Sequence, residues 1–131
     1  SRQLGEGRDG FQQAWELLKA ESKAQLVDVR TTAEWNFVGL PDLSSLGRRV
    51  HCVEWQGFPT MAVNPAFAAE AEAAVTAAGA GKETPILFLC RSGARSYHAG
   101  MFLRQNGFER VYNLAGGVIA WSRDVEGPAA R

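Results

Sequence analysis

A cysteine followed by a short polar loop is the segment of this sequence best suited to covalent chemistry. Cys90 follows the apolar run 85–89 and opens the stretch Cys-Arg-Ser-Gly-Ala-Arg-Ser, residues 90–96. The apolar run predicts a buried strand, and a helix-like pattern begins at Ala94. Loop N–H groups and the positive end of the helix would therefore converge on the sulfur, where they stabilise anions and thiolates.

The residues that follow the cysteine are suited to holding an anion. Gly93 lets the backbone curl tightly, because glycine accepts positive φ. Arg95 could fork its planar guanidinium onto two oxygens of a tetrahedral oxyanion. We therefore predict Cys90 as the nucleophile. The predicted substrate-binding loop consists of Arg91, Ser92, Gly93, Ala94, Arg95 and Ser96.

Strand-like and helix-like segments alternate along the chain, which predicts an α/β fold. The predicted strands are 25–29, 50–55, 85–89 and 111–114. The predicted helices run from Asp9 as the cap to Leu18, from the capping-box sequence 31–34 to Val38, from Asn64 as N-cap to about Gly79, from Ala94 to Asn106, and from Gly117 through Trp121. We expect one domain over residues 1–131, with a mostly parallel central sheet and helices on both faces. Cys90 would then lie at the carboxyl end of a strand, where open α/β sheets bind ligands.

Composition narrows the classes of function. Fourteen basic and fourteen acidic residues cancel, so we expect neither a general nucleic-acid surface nor a membrane surface. No apolar run approaches the ~20 residues of a membrane span. Two cysteines are too few for a disulfide scaffold, which favours a reducing, cytoplasmic location. His51, Cys52 and Cys90 do not have zinc-ligand spacing, so we expect no metal.

Three segments, taken in order, resemble the rhodanese family of sulfurtransferases. The loop 90–96 resembles the family's active-site loop, residues 26–30 with Glu34-Trp35 are similar to its first signature, and residues 106–117 with Trp121 resemble its closing segment. The resemblance runs from about residue 10 to 123. Residues 37–43 depart from the family's Gly-His-Ile-Pro-Gly-Ala, keeping only the Gly and Pro, and the stretch 55–63 is also unusual. We expect both departures to affect the substrate entrance.

The resemblance implies a mechanism. The Cys90 thiolate would attack the outer sulfur of a small anionic donor such as thiosulfate, release sulfite and carry the sulfur as a persulfide. A thiol or cyanide would then accept the sulfur, and a protein acceptor is a further expectation. No cofactor is implied. Asp28 and Arg30 are expected to support the site as an ion pair or cap.

Other interpretations stay open at this point. Cysteine phosphatases and arsenate reductases use a similar thiolate loop, but they resemble Cys-x5-Arg, whereas Cys90 and Arg95 are separated by four residues. A tighter loop favours chemistry at a sulfur over enclosure of a whole phosphate. A non-catalytic binding or sulfur-carrier module is the second alternative. Cys52 is expected to lie in the core, its functional alternative being a resolving thiol for Cys90.

Overall fold

The computed structural model describes residues 2–4, 7–57, 60–91 and 94–114, with the backbone alone for 2–4 and 7–12. Its elements in chain order are β1 (Arg2–Leu4), α1 (Gly7–Ala20), β2 (Gln25–Asp28), α2 (Thr32–Val38), β3 (His51–Cys52), β4 (Gln56–Gly57), β5 (Ala62–Val63), α3 (Phe67–Ala77), β6 (Ile86–Leu89), α4 (Ala94–Gln105) and β7 (Val111–Leu114), with a short 3-10 turn at Ser44–Leu46. Within this part of the chain, no helix has the length and apolar character needed to cross a bilayer.

Five parallel strands form the central sheet in the order β1-β7-β6-β2-β3. The chain leaves β2 toward β3 on one side and leaves β6 toward β7 on the other. The connections therefore diverge between β2 and β6, which are neighbours in the centre of the sheet. Such a switch point opens a crevice beyond the carboxyl ends of the two strands.

Two apolar clusters cover the two faces of the sheet, which confirms the predicted α/β class with helices on both faces. Side chains alternate along β6, so Ile86 and Phe88 pack with α3 and α4 on one face. Leu87 and Leu89 pack with α1 on the opposite face. Cys90 continues this alternation and joins the cluster under α3 and α4.

Two helices follow the capping and stop signals predicted for them. Thr31 and Glu34 form the predicted capping box at the start of α2, and Gly39 ends that helix. Helix α4 begins at Ala94 and ends one residue before the predicted Asn106. Gly107 then adopts a φ of 101°, a left-handed conformation that favours glycine.

Other boundaries were predicted incorrectly. Helix α1 begins at Gly7, so the expected cap Asp9 lies inside its first turn. Asn64 is not the N-cap of α3, which is Ala66; the Asn64 side chain closes the preceding turn by accepting a bond from the Ala66 N–H. The strand predicted over 50–55 is reduced to β3, and the chain then forms the unpredicted antiparallel hairpin β4–β5. Strand β1 was not predicted either, and the last predicted helix lies outside the described residues.

Candidate active site

Cys90 lies at the crevice between β2 and β6. It directly follows β6, whose last residue accepts a hydrogen bond at Leu89 O from the Val29 N–H, 2.9 Å away. Only 1% of the Cys90 surface is exposed. Helix α4 begins four residues later at Ala94, so its positive end is close to the thiol in sequence and in the fold. Ser92 and Gly93, both predicted to bind substrate, lie outside the described residues.

Ser96 brings a hydroxyl to the sulfur. Its Oγ lies 3.4 Å from Cys90 Sγ and 2.5 Å from Asn113 Oδ1. The Ser96 side chain is fully buried in the first turns of α4, because that helix packs directly on β6 and β7. The structure thus brings predicted residue Ser96 to Cys90. It adds Asn113, which sequence reasoning did not place at the site although an asparagine in a buried strand is a recognisable signal.

Arg95 has a partner that the sequence analysis did not foresee. Its Nη1 and Nη2 lie 2.7 and 2.9 Å from Glu34 Oε1 and Oε2, which makes a bidentate pair between α4 and α2. The predicted fork therefore faces a carboxylate of the same chain in this structure. Binding of a donor oxyanion by Arg95 stays a prediction, and it would require Glu34 to give way or to share the guanidinium.

The capping box at the start of α2 fixes the position of the Glu34 side chain. Its Oε1 also accepts bonds from the N–H and the hydroxyl of Thr31, at 3.1 Å each. The hydrogen bonds from Arg95 are the main cause that lowers the pKa of Glu34 to about 2, against opposing desolvation. The pKa of Arg95 is raised, chiefly by its hydrogen bonds to Glu34 against opposing desolvation, and the nearby Cys90 adds a smaller part. Glu34 and Arg95 are therefore both charged near neutral pH.

Asp28 and Arg30 form the predicted ion pair beside the site. Arg30 Nε and Nη2 bind the Asp28 carboxylate at 2.7 to 3.1 Å, and Nη2 also donates to the Gly39 carbonyl at 2.6 Å. Both side chains are completely enclosed. The pair thereby ties the end of β2 to the end of α2, the helix that carries Glu34.

The remaining predicted loop residues point outward. Arg91 and Ala94 are both exposed. Their predicted roles in substrate binding are not tested by the packing and stay predictions. Among the described residues, no group of three or more His, Cys, Asp or Glu side chains is placed to hold a metal ion.

Cys52 does not lie in the core as predicted; it is exposed at the end of edge strand β3. The reason is that β3 is only two residues long and has one neighbour, so its face is incompletely covered. Partial burial of the sulfur is the main cause that raises the pKa of Cys52 to about 11, and the nearby Asp28 carboxylate adds to the rise.

An apolar pocket of about 340 Å³ adjoins the Glu34–Arg95 pair. Its walls include Phe37 and Val38 of α2 and Met61 of the hairpin β4–β5. Phe37 is 90% exposed. These residues belong to the two stretches, 37–43 and 55–63, at which the sequence departs from the resemblance, so part of each departure lies at the border of the site.

Known proteins share both the sequence pattern and the fold. The Rhodanese-like domain family matches residues 11–124. A sulfurtransferase of Allochromatium vinosum is 35% identical over 98 residues, which cover 75% of this chain and 71% of that protein. An uncharacterised protein of Rickettsia prowazekii is 32% identical over 111 residues, covering 85% and 82% of the two chains.

Solved structures agree with the sequence comparisons. The crystal structure of Rv0390 from M. tuberculosis aligns with a TM-score of 0.75 and 38% identity, over 98% of this chain and 86% of that one. The polysulfide-sulfur transferase homodimer from Wolinella succinogenes aligns with a TM-score of 0.62 and 25% identity, over 99% and 77%. With a parallel sheet, a cysteine at its switch point and a family match over most of its length, this chain belongs to the rhodanese-like domain family.

Proposed function

We propose that this chain is a sulfurtransferase that carries a sulfane sulfur on Cys90 between a small anionic donor and a thiophilic acceptor. The single observation that carries the proposal is the setting of Cys90. The thiol lies at the switch point of the sheet, ahead of the N-terminus of α4 and within reach of the Ser96 hydroxyl. The helix N-terminus and the hydroxyl both favour a negatively charged sulfur over a neutral one.

In the first step, the Cys90 thiolate attacks the outer sulfur of the donor. With thiosulfate, a new S–S bond forms at Cys90 while the bond between the donor's two sulfur atoms breaks. The bonding pair leaves with sulfite, and the transferred sulfur remains on Cys90 as a persulfide anion. Covalent catalysis of this kind divides one transfer into two easier displacements.

In the second step, the acceptor attacks the outer sulfur of the persulfide. A thiolate acceptor becomes a persulfide and cyanide becomes thiocyanate, and in both cases the bonding pair returns to Cys90 as the thiolate. No net oxidation or reduction is required. Because the same anion is present before and after the cycle, the groups that stabilise the thiolate serve both steps.

The loop residues and Arg95 have proposed roles in anion binding. Backbone N–H groups of the loop 90–96 would hold the donor's oxygens and the outer sulfur, as oxyanion-type donors do. Arg95 lies within electrostatic range of Cys90, and its guanidinium would attract the anionic donor. The Asp28–Arg30 pair would support the crevice without touching the donor.

An intact-mass measurement tests the proposal. Wild-type protein incubated with thiosulfate should gain the mass of one sulfur atom and lose it on addition of cyanide. Cys52→Ala should behave like wild type, and Cys90→Ala should gain nothing. Sulfur loading of Cys90→Ala, or no loading of the wild type from any sulfane donor, would contradict the proposal.

The donor is the next variable in the same assay. The neighbour from Wolinella succinogenes is a polysulfide-sulfur transferase, so polysulfide is measured beside thiosulfate. Aryl-phosphate hydrolysis is measured in parallel, because the phosphatase interpretation predicts turnover there and no sulfur loading. Loading with no phosphatase activity is the expected result.

A further inference from the structure

The apolar pocket of about 340 Å³ beside the Glu34–Arg95 pair has no use in a reaction with thiosulfate alone. Thiosulfate is a small dianion without an apolar group. Apart from the ion pair and Thr31, the residues of the pocket wall that the structure describes are all apolar: Ala33, Phe37, Val38 and Met61. The volume lies at the lower end of the range for small-molecule sites, roughly 300 to 1,000 Å³.

Two large side chains of this wall are left open to solvent by the fold. Phe37 and Val38, at the end of α2, expose 90% and 51% of their surface. Single exposed apolar residues are common on protein surfaces. Neighbouring ones that line one depression beside a proposed nucleophile are typical of a binding site.

Met61 reaches the pocket from the hairpin β4–β5 with a strained backbone. Its φ is 59°, a left-handed conformation that is unfavourable for a residue with a long side chain. Backbone strain of this kind is concentrated at ligand sites. Asparagine or glycine would relieve the strain, so the methionine is better explained by what its side chain contacts. Its flexible thioether adapts to apolar ligands of different shape.

The charges around the pocket favour a neutral occupant with a sulfur atom at one end. The charged residues described in its wall are Glu34 and Arg95, and they neutralise each other as a bidentate pair. Arg95 also lies within electrostatic range of Cys90 and directly precedes Ser96, whose Oγ is 3.4 Å from the Cys90 sulfur. An apolar group held in the pocket therefore lies close to the thiol that would carry the sulfur.

We propose that the pocket binds the apolar body of a small organic thiol that accepts the sulfur from Cys90. The thiolate of this acceptor attacks the outer sulfur of the Cys90 persulfide and forms a new S–S bond with it. The bond between Cys90 and that sulfur breaks, its electron pair returns to Cys90 as the thiolate, and the acceptor leaves as an organic persulfide. The same contacts would bind this persulfide as a donor in the reverse reaction. The inference rests on the proposed function, because it takes Cys90 as the sulfur carrier.

The experiment measures how fast different thiols remove the sulfur from Cys90. Protein in a Cys52→Ala background is loaded with thiosulfate, separated from excess donor and followed by intact mass. Phenylmethanethiol, 2-phenylethanethiol and 3-phenylpropane-1-thiol hold a ring at increasing distance from the thiol, whereas 2-mercaptoethanol has no apolar body. At least one phenylalkyl thiol should unload the protein about tenfold faster than 2-mercaptoethanol, the effect of burying part of an apolar ring.

Two wall variants test whether the pocket causes this preference. Val38→Ser and Met61→Asn, the latter with a residue that tolerates positive φ, should each lower the ratio of the two rates about three- to tenfold. Val63→Ser is the matched control, because Val63 has the same 51% exposure as Val38 but lies outside the pocket wall that the structure describes. It should keep the ratio of the unaltered protein. A preference that survives both wall variants, or no preference at all, would overturn the inference.

Loading and unloading are scored separately, so the two proposals can fail separately. Normal loading without a preference among thiols overturns the inference alone, whereas no loading from any sulfane donor refutes the proposed function and the inference with it. Size-exclusion chromatography of the same proteins tests another occupant. A dimer that Val38→Ser dissociates and Val63→Ser does not would assign the pocket to a second copy of this chain, which would also overturn the inference.

Discussion

The two cysteines lie at the same edge of one sheet and differ in almost everything that governs thiol chemistry. Cys52 ends edge strand β3, whereas Cys90 follows central strand β6, with only β2 between them. Cys52 is exposed and Cys90 is buried. Accessibility alone would select Cys52 as the reactive thiol.

The surroundings of the two sulfurs favour the opposite choice. Partial burial and the Asp28 carboxylate raise the pKa of Cys52 to about 11, and the element that follows it is strand β4 and not a helix. Cys90 lies near the start of α4, the Ser96 hydroxyl and the guanidinium of Arg95. The proposed nucleophile is therefore the cysteine beside groups that can stabilise an anion, and not the cysteine with more access to solvent.

The largest expected effect concerns the ion pair that separates the two cysteines. Asp28→Asn leaves the Arg30 guanidinium buried without its counter-charge, which should lower the free energy of unfolding by about 3 kcal/mol or more. Chemical denaturation of wild type and variant measures this difference. Glu21→Gln is the matched control, since Glu21 and Arg110 form an equally bidentate but partly exposed pair, and it should leave the unfolding midpoint almost unchanged. Equal effects of the two substitutions would show that burial does not matter here.

A second prediction sharpens the contrast at Cys52. A thiol whose pKa rises from 9.0 to about 11 has roughly a hundredfold less thiolate at neutral pH. In Cys90→Ala, where Cys52 is the remaining thiol, iodoacetamide should react about a hundredfold more slowly at pH 7 than it reacts with a free cysteine. Because the thiolate fraction grows tenfold per pH unit below the pKa, the rate should climb until about pH 11. A reaction rate that levels off near pH 8 would show that the pKa of Cys52 is not raised.

The smallest expected effect separates two roles of Arg95. If Arg95 binds the donor, Arg95→Ala should slow sulfur loading from thiosulfate by about tenfold or more, and Arg95→Lys should recover only part, because an ammonium lacks the fork. If Arg95 serves only to neutralise Glu34, the double variant Arg95→Ala with Glu34→Gln should restore loading. Glu34→Gln alone should leave loading equal or faster, since the guanidinium is then released to the donor. Loading rates of the four variants decide between the roles.

Segments with strong local signals could be predicted from the sequence. The capping box at Thr31 and Glu34, the apolar run of β6 and the glycine stop at Gly107 each depend on residues within a few positions of one another. They were located to within one or two residues. Strand β1 was missed because its three residues pair with β7 at the far end of the chain, and such pairing leaves no local pattern. The short hairpin β4–β5 was missed for a similar reason, since two-residue strands are below the length at which alternation can be recognised.

The sequence by itself determined the α/β class, the place of Cys90 at the end of a buried strand, and the helix that begins at Ala94, because alternating apolar runs and glycine stops are local. Only the tertiary structure decided which side chains meet at the site. Glu34 and Arg95 are 61 positions apart, and Ser96 and Asn113 are 17 apart. Packing of α4 on β7 brings Ser96 to Asn113, and the Arg95 side chain of α4 reaches Glu34 of α2. The edge position of β3 exposes Cys52. Contacts between distant residues depend on how whole elements pack, and no spacing in the chain encodes them.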